Sequence, residues 1–109
     1  LDLLKWDRAL YSNKLVKQKT LQEAFKPFML VQGKSSNYGF GWFIKEDIKI
    51  NGKSTGKRLD HYGLWPGYES SIIRFIEKDK TIIILANQSP SAKDEIIEKI
   101  SQLIFTPSK

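Results

Sequence analysis

Two β-branched runs fix what this chain can become: "ESSIIRFIE" at 69–77 and "TIIILAN" at 81–87, joined only by the charged triplet "KDK". A connection of three residues cannot carry a crossover, so the two runs pair as an antiparallel hairpin. The second run is apolar on both faces and is expected to be the most buried strand. Everything else must cover, extend or flank this pair.

Upstream of it the pattern alternates. Tyr38, Phe40, Trp42 and Ile44 recur at period two against Gly39, Gly41 and Phe43, which predicts a strand with one large-residue face. Two glycines on the other face imply close approach by another backbone or side chain. "IKINGKSTGKRLDHY" follows as strand, turn and strand, with Asn51-Gly52 as the turn signal.

The flanks read as helices. "LDLLKWDRALYSNKLV" spaces Leu3, Trp6 and Leu10 helically, with Asp2 near the positive end of the dipole. "TLQEAFKPF" offers a Thr20/Glu23 capping box and a stop near Pro27. "SPSAKDEIIEKISQLIF" supplies Ser and Pro at a helix start, acids in the first turn, and a stripe of Ile96, Ile97, Ile100, Leu103 and Ile104 that should lie across the sheet. The expected fold is therefore α+β: two helices, an antiparallel sheet of about five strands, and a covering C-terminal helix. One such helix covers one face, so the other face or an edge calls for a partner, with dimerisation or strand exchange as the hazard.

At 109 residues, 40% hydrophobic and 12% aromatic, the chain has material for a single core and is read as a single domain, 1–109. It has no cysteine and one histidine, so neither a disulfide framework nor a protein-built zinc site is expected, and no cofactor is called for. The apolar runs are too short to span a bilayer. Fifteen Lys and three Arg give a net charge of +6, but they are spread along the chain, unlike the clustered Arg/Lys with interleaved aromatics of nucleic-acid modules. A basic polyanion-binding module stays as an alternative resting on charge alone.

Three short patterns imitate catalytic motifs. "GKSTGKR" has its glycines one residue too close for a phosphate loop and no helix after it. Ser54-Thr55-Gly56-Lys57 spells Ser-x-x-Lys inside a turn, without the helix start that brings serine to the amine, and reads as solvent-facing turn chemistry. Tyr11-Ser12-Asn13 spells Tyr-x-Asn at a helix end, where these are ordinary packing and terminal residues. His61 stands apart because "HYGLWPGYES" follows it with Gly63 and Gly67, which leave backbone bare where a ligand could lie. Its neutral imidazole can donate or accept a hydrogen bond.

Four stretches together resemble the C-terminal part of the penicillin-binding-protein-like serine hydrolases, the family of class C β-lactamases, D-alanyl-D-alanine carboxypeptidases and related esterases. "DLLKWDRALYSNKLVKQKTL" is similar to its Asp-Leu-x-x-Trp-x-x-Ala-Leu helix, and "YGFGWFI" to its Tyr-Gly-x-Gly-Trp strand. "HYGLWPGYESS" is similar to its His-x-Gly-x-x-Pro-Gly-Phe/Tyr-x-Ser segment, and "TIIILAN" to the strand before its last helix.

The resemblance implies a partial β-lactamase/transpeptidase-like fold in which His61, Tyr62 and Gly63 line the cleft. It implies a backbone N–H of Leu64 in the oxyanion hole, Tyr62 and Trp65 as substrate contacts, and Tyr68 as a packing aromatic. The nucleophilic Ser-x-x-Lys and the Tyr-x-Asn of that family belong upstream, so the chain is expected to be a C-terminal fragment needing the N-terminal part of the hydrolase. Alone, it is expected to be inactive on peptide, β-lactam or ester substrates. A non-catalytic binding domain of the same fold is the alternative, and the resemblance implies an extracytoplasmic location.

Overall fold

The computed structural model describes residues 1–106, which fall into two compact units, 1–45 and 46–106. In the first, α1 (Asp2–Ala9) carries Asp2 in its first turn and Arg8 in its last, each matched to the helix dipole. It stops sooner than its periodicity suggests. Ser12 Oγ donates to the Ala9 carbonyl at 2.9 Å, and Asn13 Oδ1 accepts from the Gln18 amide at 2.8 Å. Side-chain oxygens of this kind compete with the helical ladder and close turns. The Tyr11-Ser12-Asn13 triplet is thus spent on a helix exit.

α2 (Gln18–Ala24) begins two residues before Thr20, with Lys17 as N-cap and no capping side-chain bond, so the Thr20/Glu23 capping box does not form. The Gln18 side chain, donating to the Leu10 and Ser12 carbonyls at 3.0 and 2.7 Å, makes the earlier start possible. The expected stop before Pro27 holds, since α2 ends at Ala24.

The "YGFGWFI" stretch is mostly turn. Only β1 (Phe43–Lys45) is a strand, bridged locally by Tyr38 pairing antiparallel with Phe43. Gly39 N–H donates to the Trp42 carbonyl at 2.8 Å, and Gly41 has φ +77, so the alternating pattern folds back on itself. The close approach inferred at the glycines is real at Gly39, where an added Cβ would collide with the Ala24 carbonyl oxygen. Trp42 is buried, stacked 6.1 Å from Trp6 and edge-on to Phe25 at 6.0 Å.

The second unit opens with a ribbon, β2 (Lys49–Ile50) and β3 (Lys53–Ser54), paired antiparallel. Its two-residue turn has positive φ at both Asn51 (+51) and Gly52 (+74), the conformation that matches strand twist in a hairpin. The Ser-x-x-Lys decoy comes apart here. Ser54 Oγ donates to Asp47 at 2.6 Å, whereas Lys57 pairs with Glu46 at 3.1 Å. Thr55, expected to face solvent, is fully buried and donates to the Ile48 carbonyl at 2.7 Å, which removes its hydroxyl from water without leaving it unpaired.

β4 (Arg58–Trp65), β5 (Tyr68–Phe75) and β6 (Lys80–Ala86) form an antiparallel meander with β5 in the middle. The "KDK" hairpin forms as expected, through a short 3-10 turn at Ile76–Lys78. The depth order is reversed, however. β5 is the most buried strand and Leu85 of β6 is 70% exposed, because position in the sheet outweighs apolar content.

α3 (Lys93–Ile104) packs on the β5–β6 face. Ile73, Phe75, Ile82 and Ile97 make the core, with Ile84, Ile100, Ile104 and Phe105 against it. Full burial of each such side chain stabilises by about 1.5–3 kcal/mol. Of the predicted stripe, Ile97, Ile100 and Ile104 face the sheet, while Ile96 and Leu103 are exposed. Asp94 and Glu95 do occupy the first turn, but the helix starts after Ala92, so Pro90 lies before it. At the other end, Lys80 Nζ donates to the Ile104 carbonyl at 2.5 Å, satisfying an orphan C-terminal acceptor. No helix among the described residues is long and apolar enough to cross a membrane.

Candidate functional site

The β4–β5 hairpin decides where the candidate residues point. Its register opposes His61 to Ile72, Gly63 to Ser70, and Trp65 to Tyr68, so these side chains share one face. Tyr62 and Leu64, opposed to Ser71 and Glu69, belong to the other face, the one covered by α3. The turn between the strands is Pro66-Gly67. Proline presets its first position, and Gly67 takes φ +83 at its second, where other residues are strained.

Just before the hairpin begins, the Ile76 amide donates to the Lys57 carbonyl at 3.3 Å. Ladder bonding alternates along an antiparallel pair, so Leu59, His61, Gly63 and Trp65 bond toward β5. Tyr62 and Leu64 consequently turn their N–H and C=O groups away from β5. The Leu64 amide is therefore directed sideways out of the β4–β5 pair, at the end of the strand that also presents His61.

On the face opposite α3 an open groove is lined by Gly63, Trp65, Tyr68, Ser70 and Leu85. Trp65, Tyr68 and Leu85 are 73%, 62% and 70% exposed, a concentration of apolar area that small soluble folds usually cover. Gly63 leaves room for its neighbour across the ladder. An added Cβ would stand 2.6 Å from Ser70 Oγ and fill the floor of the groove. His61 is exposed on the same face, and its ring lies 6.0 Å from that of Tyr62. Lys93 of α3 sits 5.8 Å above the Tyr62 ring, a cation–π contact on the helix side of the sheet. The structure thus brings His61, Gly63 and Trp65 to one open face, and sends Tyr62 toward α3.

One polar cluster carries no recognisable motif. Glu69 is only 9% exposed, and accepts from Ser91 Oγ at 2.5 Å and Ser89 Oγ at 3.0 Å. The Ser91 bond is the chief reason its carboxyl titrates below the ordinary 4.5, with the Ser89 bond and the charge of Lys93 acting in the same direction against desolvation. The signal was present in "ESSIIRFIE": strand alternation puts Glu69 in phase with Ser71, Ile73 and Phe75, on the core face.

The chain is 33% identical over 106 residues to penicillin-binding protein 4* of Bacillus subtilis (strain 168), and 32% identical over 106 residues to the putative penicillin-binding protein PbpX of the same organism. Each alignment covers 95% of this chain but only 22% and 23% of the relative, so the chain spans about a fifth of the length of these curated proteins. No family model matches the chain. No solved structure matches it either.

Proposed function

We propose, from the premise that this chain is penicillin-binding-protein-like over nearly all its length, that it forms one wall of an acyl-transfer site in a larger serine hydrolase. The wall is the open face of β4. His61 is its hydrogen-bonding side chain, Gly63 keeps the strand accessible, and the Leu64 amide is one oxyanion donor. Trp65 contacts the substrate, and Tyr62 supports the strand from the helix side. The substrate class is a peptide, β-lactam or ester. The nucleophilic serine and its lysine partner come from a preceding N-terminal part.

The observation that carries this reading is the direction of the Leu64 amide. It leaves the β4–β5 ladder sideways beside a side-chain-free glycine, and in the proposed site it donates to an oxygen that develops negative charge. A main-chain donor needs no particular side chain, which is why leucine can hold the position. The likeness to two penicillin-binding proteins supports the same assignment, since the His-x-Gly-x-x-Pro-Gly segment lies inside the matched length.

The test uses nitrocefin and p-nitrophenyl esters, with the chain alone and with the longer hydrolase containing it. The chain alone should give no turnover, because loss of nucleophile and base removes many powers of ten in rate. The longer enzyme should turn over, and Leu64→Pro, which deletes one N–H, should lower kcat by roughly 100- to 1000-fold, the usual effect of removing one oxyanion donor. Turnover by the chain alone that survives repurification and vanishes in Gly63→Trp would overturn the reading. So would an unaffected Leu64→Pro enzyme.

A further inference from the structure

We infer that Glu69 is a positioning residue for the proposed site: by bridging Ser89 and Ser91 it ties the tip of the β4–β5 hairpin to the segment entering α3, and so fixes the direction of the Leu64 amide. The inference rests on the reading of Leu64 as an oxyanion donor.

Leu64, Trp65 and Tyr68 are all largely exposed, so hydrophobic burial contributes little at the hairpin tip. Glu69 is the exception, a carboxylate with almost no solvent contact at the end of a strand whose neighbours are wet. It stands directly opposite Leu64 across β4 and opposite Ala86 across β6. Neither neighbour is charged or polar in its side chain, so the carboxylate finds its partners beyond β6, in Ser89 and Ser91.

Leu64 belongs to a pair that does not exchange ladder hydrogen bonds, and its amide is aligned only through its neighbours and through the residue opposite. In such pairs the backbones approach most closely, at about 4.5 Å between Cα atoms. Pinning Glu69 therefore limits how far the strand carrying Leu64 can swing. Ser91 Oγ also accepts from the Lys93 amide at 3.4 Å, which continues the tie into the first turn of α3. Lys93 in turn covers the ring of Tyr62, giving β4 a second anchor to the same helix. Hydrogen bonds to a charged acceptor are shorter and stronger than neutral ones, which suits a clamp at a wet edge.

The experiment compares Glu69→Ala, Glu69→Gln and Ser91→Ala by amide hydrogen exchange of the chain and by kinetics of the longer enzyme. In Glu69→Ala, exchange at Gly63, Trp65, Tyr68 and Ser70 should accelerate at least tenfold while Ile82, Ile83 and Ile84 change less than twofold. Glu69→Gln, which keeps an acceptor oxygen, should fall between, and Ser91→Ala should resemble it without altering the carboxylate. In the longer enzyme Glu69→Ala should lower kcat about tenfold with KM unchanged, and Glu69→Gln should restore part of it. Acceleration spread evenly over the whole sheet, or none at the tip, would overturn the clamp. A faster-exchanging tip with unchanged kcat would overturn its role in positioning and leave the proposed function intact. Failure of Leu64→Pro to slow the enzyme strikes the function itself.

Discussion

Replacing Gly39 by alanine should cost more than replacing Gly41, although both glycines sit in the same turn of "YGFGW". The Gly39 Cβ would overlap the Ala24 carbonyl oxygen and lie 2.9 Å from both the Lys26 carbonyl oxygen and Ile44 Cδ1. The isoleucine methyl can rotate aside, but the carbonyls move only with the backbone after α2. That shift stretches the bond from the Phe40 amide to the Ala24 carbonyl, now 3.1 Å. Overpacking costs about 1–3 kcal/mol, and a lost hydrogen bond adds about 1 kcal/mol. Reduced entropy of the unfolded chain offsets roughly 0.4–1 kcal/mol. The net loss is about 2–3 kcal/mol.

Gly41→Ala meets nothing within 4 Å, and its penalty is the left-handed φ of +77 alone. That is about 1–2 kcal/mol before the same entropic offset, leaving about 1 kcal/mol. Urea unfolding followed by tryptophan fluorescence in a Trp65→Phe background reads the difference, since Trp42 and Trp6 then report on their own stacked pair. With a denaturant slope of about 1–1.5 kcal/mol per molar, the midpoint should fall by about 2 M for Gly39→Ala and by less than about 1 M for Gly41→Ala. Equal midpoints, or a larger loss for Gly41→Ala, would refute the steric account of Gly39.

Acid should weaken the Glu69 clamp. Its carboxyl titrates below 4.5 when folded, so its contribution is complete above pH 4.5 and is lost as pH falls through the folded value. The stability gap between the native chain and Glu69→Gln should be constant from pH 6 to 7 and shrink toward pH 3, and a gap undiminished at pH 3 contradicts the assignment. Asn51→Ala should lose about 1–2 kcal/mol, because alanine is strained at φ +51 and the amide's bonds to Gln102 O and Thr106 Oγ1 at 3.3 and 3.2 Å disappear. Asn51→Gly, which relieves the strain and loses only the bonds, should recover part of that in a thermal melt, and an Asn51→Gly protein less stable than Asn51→Ala would be inconsistent with the turn.

Local chemistry was readable wherever the deciding atoms lie within a few residues of one another. The Asn51-Gly52 turn, the "KDK" hairpin and the inward stripe through Ile97, Ile100 and Ile104 need only φ preferences, loop length and side-chain periodicity. The resemblance carried by "HYGLWPGYESS" is equally legible, because it rests on residue types at fixed offsets, and it singles out His61, Gly63 and Leu64. Two local signals misled for a physical reason. Thr20 and Glu23 could cap a helix, but Gln18 found carbonyl partners at Leu10 and Ser12 and started it earlier. Tyr38 through Ile44 alternates as a strand does, yet Gly41 permits a left-handed turn that alternation cannot reveal.

Sequence by itself determined which segments pair, which turn residues close them, and which motif borders the proposed site, because those outcomes depend on neighbours along the chain. Tertiary structure decided which strand is deepest, which face of β4 stays open, and where a buried carboxylate finds its partners. Strand order placed β5 inside the sheet and the more apolar β6 at its edge, and register turned Tyr62 toward α3 while leaving Gly63 and Trp65 beside the groove. Glu69 reads as a charged residue at a strand start until the fold brings Ser89 and Ser91, some twenty positions away, against it. Burial and hydrogen-bond satisfaction are properties of what arrives from elsewhere in the chain, and only the folded arrangement specifies that.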